Sequence, residues 1–310
     1  MRFLWSATIL SVSLMLFAPT IFAKQSHNDQ AYLYLQSIYS RDNVSKLHVL
    51  NLQQRLEYFS RIFLGKPYLG GALGEGPNSA YDNDPLYRFD AFDCTTYVET
   101  VAALTLSYSE AEFQKNMNAI RYQDGVVSLI TRNHFTSIDW NPNVEKLGIL
   151  RDVTAEIGLA DVSTLQTLID KKEWYQKQAS AMVKAKDNEA KKVGVIIART
   201  QAIRPQISAL SFLSKEMLTA KPELLLRFPR AGIVNIVRKN WNVRDAIGTN
   251  LDVSHQGIIF ERDGEIIFRH ASYKKSSQYV VEVPLLEYVK KNFGDQTFAG
   301  LNVLSFVGGL

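Results

Sequence analysis

The sequence predicts an α+β fold in which a buried helix, starting at a cysteine, packs on an antiparallel sheet. Helix-period apolar patterning dominates the first half of the chain, and short apolar strands dominate the last third. Two of those strands flank a tight-turn signal. Helices first and strands later give a segregated architecture rather than an alternating parallel one.

The first residues are set apart from the fold. Met1-Arg2 is a positive start, Phe3 to Phe22 is almost wholly apolar, and Ala23 is a small residue before Lys24. This order reads as a secretory signal peptide over 1–23. A membrane anchor is the other reading, because the run is near the length that spans a bilayer. Pro19 and the Ala23-Lys24 junction favour cleavage. The expectation is therefore an exported protein, periplasmic or secreted, with one catalytic domain over 24–310. No later run is long and apolar enough to span, so no stable membrane span is expected after cleavage.

Residues 29–64 carry Leu47, Leu50, Leu52, Leu56, Phe59, Phe63 and Leu64 at helix-like spacing. Gly65 to Pro85 is rich in Gly, Pro, Asn and Asp and reads as a long loop. Loops of that length inside a domain are usually functional or disordered. From Cys94 to about Ser107, Tyr97, Val98, Val101, Ala102, Leu104 and Leu106 predict a buried helix, with Asp93 in the N-cap position. Another helix covers 111–122 and stops at Asp124-Gly125. Residues 145–230 read as largely helical, the charged run from Asp170 to Lys192 forming one or two solvated helices. Ile233–Val237, His255–Phe260, Ile266–Ala271, Val280–Val283 and Leu301–Val307 read as strands, the second and third joined through Arg262-Asp263-Gly264.

Composition narrows the function classes. Hydrophobic residues make up 46%, enough for a real core, and the net charge is +4, spread along the chain. Nucleic-acid binding calls for a concentrated basic stripe, and the sequence has none. Cys94 is the one cysteine, so an internal disulfide is excluded. A free thiol in an oxidising compartment is either buried and inert or used.

Three residues point to use. Cys94 stands at a predicted helix start, where the partial positive charge favours a thiolate. His255 begins a strand and His270 ends the next. With a turn at Asp263-Gly264 the two histidines fall on neighbouring strands, whose facing Cβ atoms lie about 5 Å apart. One histidine can take the thiol proton and later deliver it to a leaving amine, while the other orients it. The Cys94 backbone N–H supplies an oxyanion donor. Zinc ligation by the same three residues is the alternative, but there is no local C-x-x-C or H-x-x-x-H pair, and no metal or other cofactor is implied.

These residues also carry a resemblance. FDCTTYVE at Cys94, SHQGIIF at His255 and RHAS at His270 are similar to the three catalytic motifs of the NlpC-type papain-like cysteine amidases and peptidases, bacterial cell-wall enzymes. GKPYLGG at 65–71 resembles their upstream glycine-rich segment, which implies that Tyr68 lines the site. RYQDGVVSLITRNHFTSIDWNPN at 121–143 is similar to the N-acetylmuramoyl-L-alanine amidase-like branch. Where the family's strand before the base usually opens with Gly-Asp, this chain has Arg230-Ala231-Gly232-Ile233. The resemblance implies a papain-like fold, with Cys94 as nucleophile, His255 as base and His270 as orienter. It also implies cleavage of the amide between N-acetylmuramic acid and L-alanine, in peptidoglycan or muropeptide fragments, through a thioester. A stem-peptide endopeptidase of the same fold, or a non-catalytic wall-binding module, are the alternatives. The mild basicity suits an anionic polymer such as peptidoglycan.

Further residues have two readings each. Arg132, His134 and Trp140 either wall the substrate cleft, Arg132 for a carboxylate and Trp140 for a sugar or peptide face, or serve local structure with Arg132 paired to Asp139 and Trp140 in the core. Asp93 is a helix cap or a contact for a substrate amine. Ser254 is a hydrogen-bond donor near the base or a plain strand-start serine. His27 and His48 lie outside every motif.

Overall fold

The computed structural model describes residues 27–184, 187–274 and 276–307. The expected signal segment lies outside the described residues. The architecture is α+β, as the sequence predicts. Eight strands form one sheet: β1 Leu150–Asp152, β2 Ser163–Ile169, β3 Gln206–Ser214, β4 Ala231–Arg238, β5 Val253–Arg262, β6 Glu265–Ala271, β7 Val280–Pro284 and β8 Phe298–Phe306. Their order is β2-β3-β8-β4-β5-β6-β7, with β1 also on β8, and every named pairing is antiparallel.

The central strands are buried on both faces, which is why AGIVNIVR and FAGLNVLSF are apolar nearly throughout. Ile233, Ile258, Phe260 and Leu304 pack on one side, against the helices His27–Ile38, Leu52–Arg61, Cys94–Thr105 and Glu110–Arg121. Val234, Ile259, Phe268 and Val303 pack on the other, against Lys215–Ala220 and Leu285–Lys291. The period-2 alternation of a strand divides these two sets.

The expected 29–64 helical stretch is three helices, broken at Ser40 and Asn51. Asn51 and Gln54 form a capping box that restarts the chain. The helix expected at 111–122 spans Glu110–Arg121, capped by Ser109.

The largest difference lies between 145 and 230. That stretch holds β1, β2 and β3 besides its helices, three strands that the helical reading leaves out. The charged run does give two helices, Lys171–Met182 and Glu189–Thr200. β2 and β3 pair with each other over seven residues and extend the sheet beyond β8. Among the described residues no helix is long and apolar enough to cross a membrane.

Candidate active site

Cys94 is the first residue of the helix Cys94–Thr105. Asp93 caps it: its carboxylate accepts from the Thr96 N–H at 2.8 Å, and the Thr96 hydroxyl answers the Asp93 N–H at 2.9 Å. This double cap fixes the helix start and so fixes Cys94. Asp93 also accepts from the Gly71 N–H at 3.2 Å, tying the glycine-rich loop to the same point. Asp93 is therefore the cap, and its acceptors are engaged within the chain.

The β5–β6 hairpin places the histidines. Asp263 and Gly264 form its two-residue turn with φ of 54° and 83°, both left-handed, as a turn following the strand twist requires. The ladder ends at Ile258 opposite Arg269. One step further, His270 lies across from Gly257, so His255 and His270 are diagonal neighbours rather than directly facing ones. Their side chains still meet: His255 Nε2 and His270 Nδ1 are 2.7 Å apart. Gly257 makes this possible. A Cβ there would sit 2.4 Å from the Phe268 ring and 2.8 Å from the His270 Cβ. Phe268 stacks on His270 and meets the His255 ring edge-on, clamping both imidazoles.

Cys94, Thr95, Ser254, His255 and Gln256 line one small cavity of about 140 Å³, together with His134 and residues 135–137. His255 Nδ1 is buried and has no hydrogen-bond partner among the described residues. With Nε2 engaged by His270, Nδ1 is the nitrogen left for chemistry. A hydrogen bond from Nε2–H to His270 Nδ1 fixes the tautomer that puts a lone pair on Nδ1.

A row of buried amides supports this floor. The Thr95 hydroxyl donates to Gln256 Oε1 at 3.0 Å, Gln256 Nε2 donates to Asn235 Oδ1 at 2.8 Å, and Asn235 Nδ2 donates to Asn302 Oδ1 at 2.9 Å. Asn302 Nδ2 continues to the Asp152 carboxylate at 2.7 Å. Gln256, Asn235 and Asn302 face one another across β5, β4 and β8. Reasoning from the sequence missed this row; the visible signal was an amide side chain, Asn235 and Asn302, set between apolar residues in β4 and β8.

The electrostatics reverse one expectation. Burial, and the negative charge of Asp93, push the Cys94 thiol up to about 11, against smaller opposing help from the Gln256 backbone N–H and Thr95. A helix start is worth about 0.3–1 kcal/mol, less than one pKa step. Burial can move a group by roughly 3–5 steps, so it wins. Burial, then the neighbouring His270, Arg238 and Lys274, hold His255 well below the ordinary imidazole value. His270 is pushed down to about 4, by burial and then by Lys274. All three shifts favour a neutral thiol beside neutral imidazoles over a thiolate–imidazolium pair.

Tyr68 lies close enough for the charges of Cys94 and Asp93 to reinforce the burial that raises its hydroxyl. Ser254 accepts from Arg238 Nε at 2.8 Å. Trp140 is 1% exposed and sits in the core, so it presents no face to a sugar. Arg132 turns inward to Glu75 and Asp82 rather than to Asp139, which pairs instead with Lys171 at 2.6 Å. Its guanidinium thus anchors the Gly65–Pro85 loop, and the cleft-wall reading of Arg132 and Trp140 is corrected. His134 does reach the Cys94 cavity, with Nε2 2.8 Å from the Leu129 carbonyl, and burial drives it well below the ordinary value. Among the described residues no group of three or more His, Cys, Asp or Glu is placed to hold a metal ion.

The family model for N-acetylmuramoyl-L-alanine amidase-like proteins matches residues 58–297, which include Cys94, His255 and His270. The chain belongs to the N-acetylmuramoyl-L-alanine amidase-like family. The family is one of amidase-like hydrolases that act on peptidoglycan, so the chain is an amidase-like hydrolase with a peptidoglycan substrate. A Legionella pneumophila protein of known structure is similar over 90% of this chain and 97% of its own, with 32% identity and a TM-score of 0.84. A Bacteroides fragilis protein provisionally named a xylanase is 25% identical, covers 80% of this chain and 100% of its own, and has a TM-score of 0.59. An N-acetylmuramoyl-L-alanine amidase from Bacteroides uniformis shares the fold at 24% identity and a TM-score of 0.57, over 83% of this chain and 99% of its own. No curated protein matches the chain by sequence.

Proposed function

We propose that this amidase-like chain is a papain-like cysteine amidase that cleaves the amide between N-acetylmuramic acid and L-alanine. The observation that carries this reading is the unpartnered His255 Nδ1, on a ring fixed by His270, in a residue that lines the same cavity as Cys94.

From the neutral pair, the thiol proton passes to His255 Nδ1 as Cys94 Sγ attacks the amide carbon. The Cys94 backbone N–H, which has no partner inside its helix, faces the developing oxyanion. The imidazolium then protonates the leaving amine as the C–N bond breaks, leaving a thioester on Sγ. Water, deprotonated by His255, attacks the thioester. The thiol leaves with the proton, and a carboxylic acid is released. Throughout, His270 holds the His255 ring and accepts its Nε2–H.

Mass spectrometry of a muramoyl tetrapeptide after incubation tests the bond. The expected products are N-acetylmuramic acid and an intact tetrapeptide with a free L-alanine amine, none with Cys94→Ala. A cut within the stem peptide, leaving a dipeptide on the sugar, would make the chain an endopeptidase. We also propose export with cleavage after Ala23, on the strength of the Met1–Ala23 pattern. N-terminal sequencing of exported material should begin near Lys24; an intact Met1 on membrane-bound protein would overturn it.

A further inference from the structure

A second cavity, of about 520 Å³, adjoins the Cys94 cleft. Its walls include Leu165 and Thr167 of β2 together with Arg238, Trp241, Asn242 and Arg244. Leu251 lines both cavities. Arg238 also joins them, lining the larger one while its Nε donates to Ser254 of the smaller. The larger cavity has two guanidinium groups, amides and an indole on its walls, and no carboxylate.

The two arginines are not equivalent. Arg238 is committed: it pairs with Asp295, donates to Thr297 at 2.9 Å and to Ser254 at 2.8 Å. Among the described residues the Arg244 side chain has only Asp170, at 3.7 Å, and it is 51% exposed. It is the cation with capacity to spare for a ligand carboxylate.

Position decides which half of the substrate belongs here. Residues 238–251 run directly into the start of β5, which carries His255. The cavity thus lies on the side of the cleft from which the chain enters the His255 strand, and it shares Leu251 with that cleft. In the mechanism above, the group next to His255 when it gives up its proton is the leaving amine.

We infer that the cavity between β2 and residues 238–251 holds the acidic stem peptide released as the leaving group, with Arg244 pairing one of its carboxylates and Trp241 packing on its stem. This rests on the proposed cysteine mechanism. It makes β2, a strand in the stretch that the sequence reads as largely helical, a wall of the specificity pocket.

Two measurements test it. In the first, isothermal titration of free tetrapeptide into the Cys94→Ala protein should show binding that weakens about tenfold or more with Arg244→Gln added, the loss of one charged hydrogen bond. Tetrapeptide whose D-glutamate carboxylate is amidated should bind the protein with Arg244 intact more weakly than the free tetrapeptide does, and should bind the Arg244→Gln protein with that same reduced affinity. Binding indifferent to both changes overturns the inference, whichever bond the enzyme cuts. In the second, kcat/KM on the muramoyl tetrapeptide should fall about tenfold or more in Arg244→Gln, mainly through KM, while N-acetylmuramoyl-L-alanine is turned over within about twofold of wild type. An equal fall on both substrates, or a Trp241→Ala effect that follows changes in the sugar alone, would assign the cavity to the glycan instead. If neither substrate is cut at the lactyl amide, the proposed bond fails, and the titration still decides the cavity.

Discussion

His255 Nε2 and His270 Nδ1 meet at 2.7 Å, diagonally across the β5–β6 hairpin. The diagonal matters because Gly257, opposite His270, leaves the room into which the two rings and Phe268 fit. His270 therefore orients the base without needing to touch the nucleophile.

His270→Gln keeps a carbonyl that can accept from His255 Nε2–H, and His270→Ala does not. The alanine variant should lose on the order of 10²-fold in kcat/KM, at the low end of what a positioned base contributes, and the glutamine variant less. Equal activities in the two variants would remove the orienting role.

The pH behaviour follows from two opposed shifts. The Cys94 thiol is raised to about 11, so it stays protonated through neutrality and becomes thiolate only as pH climbs toward that value. The His255 imidazole is held well below 6.5, so it stays a free base down through mildly acidic pH. The profile of kcat/KM should thus be flat across neutrality, with its acid limb below the ordinary histidine value. Iodoacetamide labelling of Cys94 should be slow at pH 7 and rise steadily above it. Labelling already at its maximum rate at pH 6 would show a thiolate–imidazolium pair instead.

Gly257→Ala places a methyl 2.4 Å from the Phe268 ring. Overpacking of this kind costs about 1–3 kcal/mol. The sharper readout is activity: kcat should fall much further than stability, because the displaced group is the clamp on both histidines. A variant with wild-type kcat would mean that Phe268 moves without disturbing His255.

Arg132→Ala and Trp140→Ala should act on folding rather than on substrate. Removing Arg132 leaves Glu75 without its ion-pair partner and Asp82 with Lys184 alone, a loss of about 3–5 kcal/mol for a buried pair broken on one side. Trp140→Ala empties core space at a similar cost, about 3–5 kcal/mol. Urea melts should show both. Restoring the fold at low temperature should restore KM, and a raised KM in a fully folded variant would return these residues to the cleft.

The sequence by itself determined the helix that starts at Cys94, its Asp93 cap, the Asp263-Gly264 turn and the strands that bear His255 and His270. All of these are local: caps, turns and hairpins are set by residues within a few positions of one another. It did not disclose β2 and β3. Both expose part of their length, Ile207 being 67% exposed, and β3 finds its inner partner β8 far along the chain. Only the tertiary structure decided where Arg132 and Trp140 point, since their partners Glu75 and Asp82 and the core around the indole come from distant segments. It also decided the direction in which the Cys94 thiol shifts. A helix start favours a thiolate by a small local effect, and the burial that outweighs it exists only once β5 has closed over the helix.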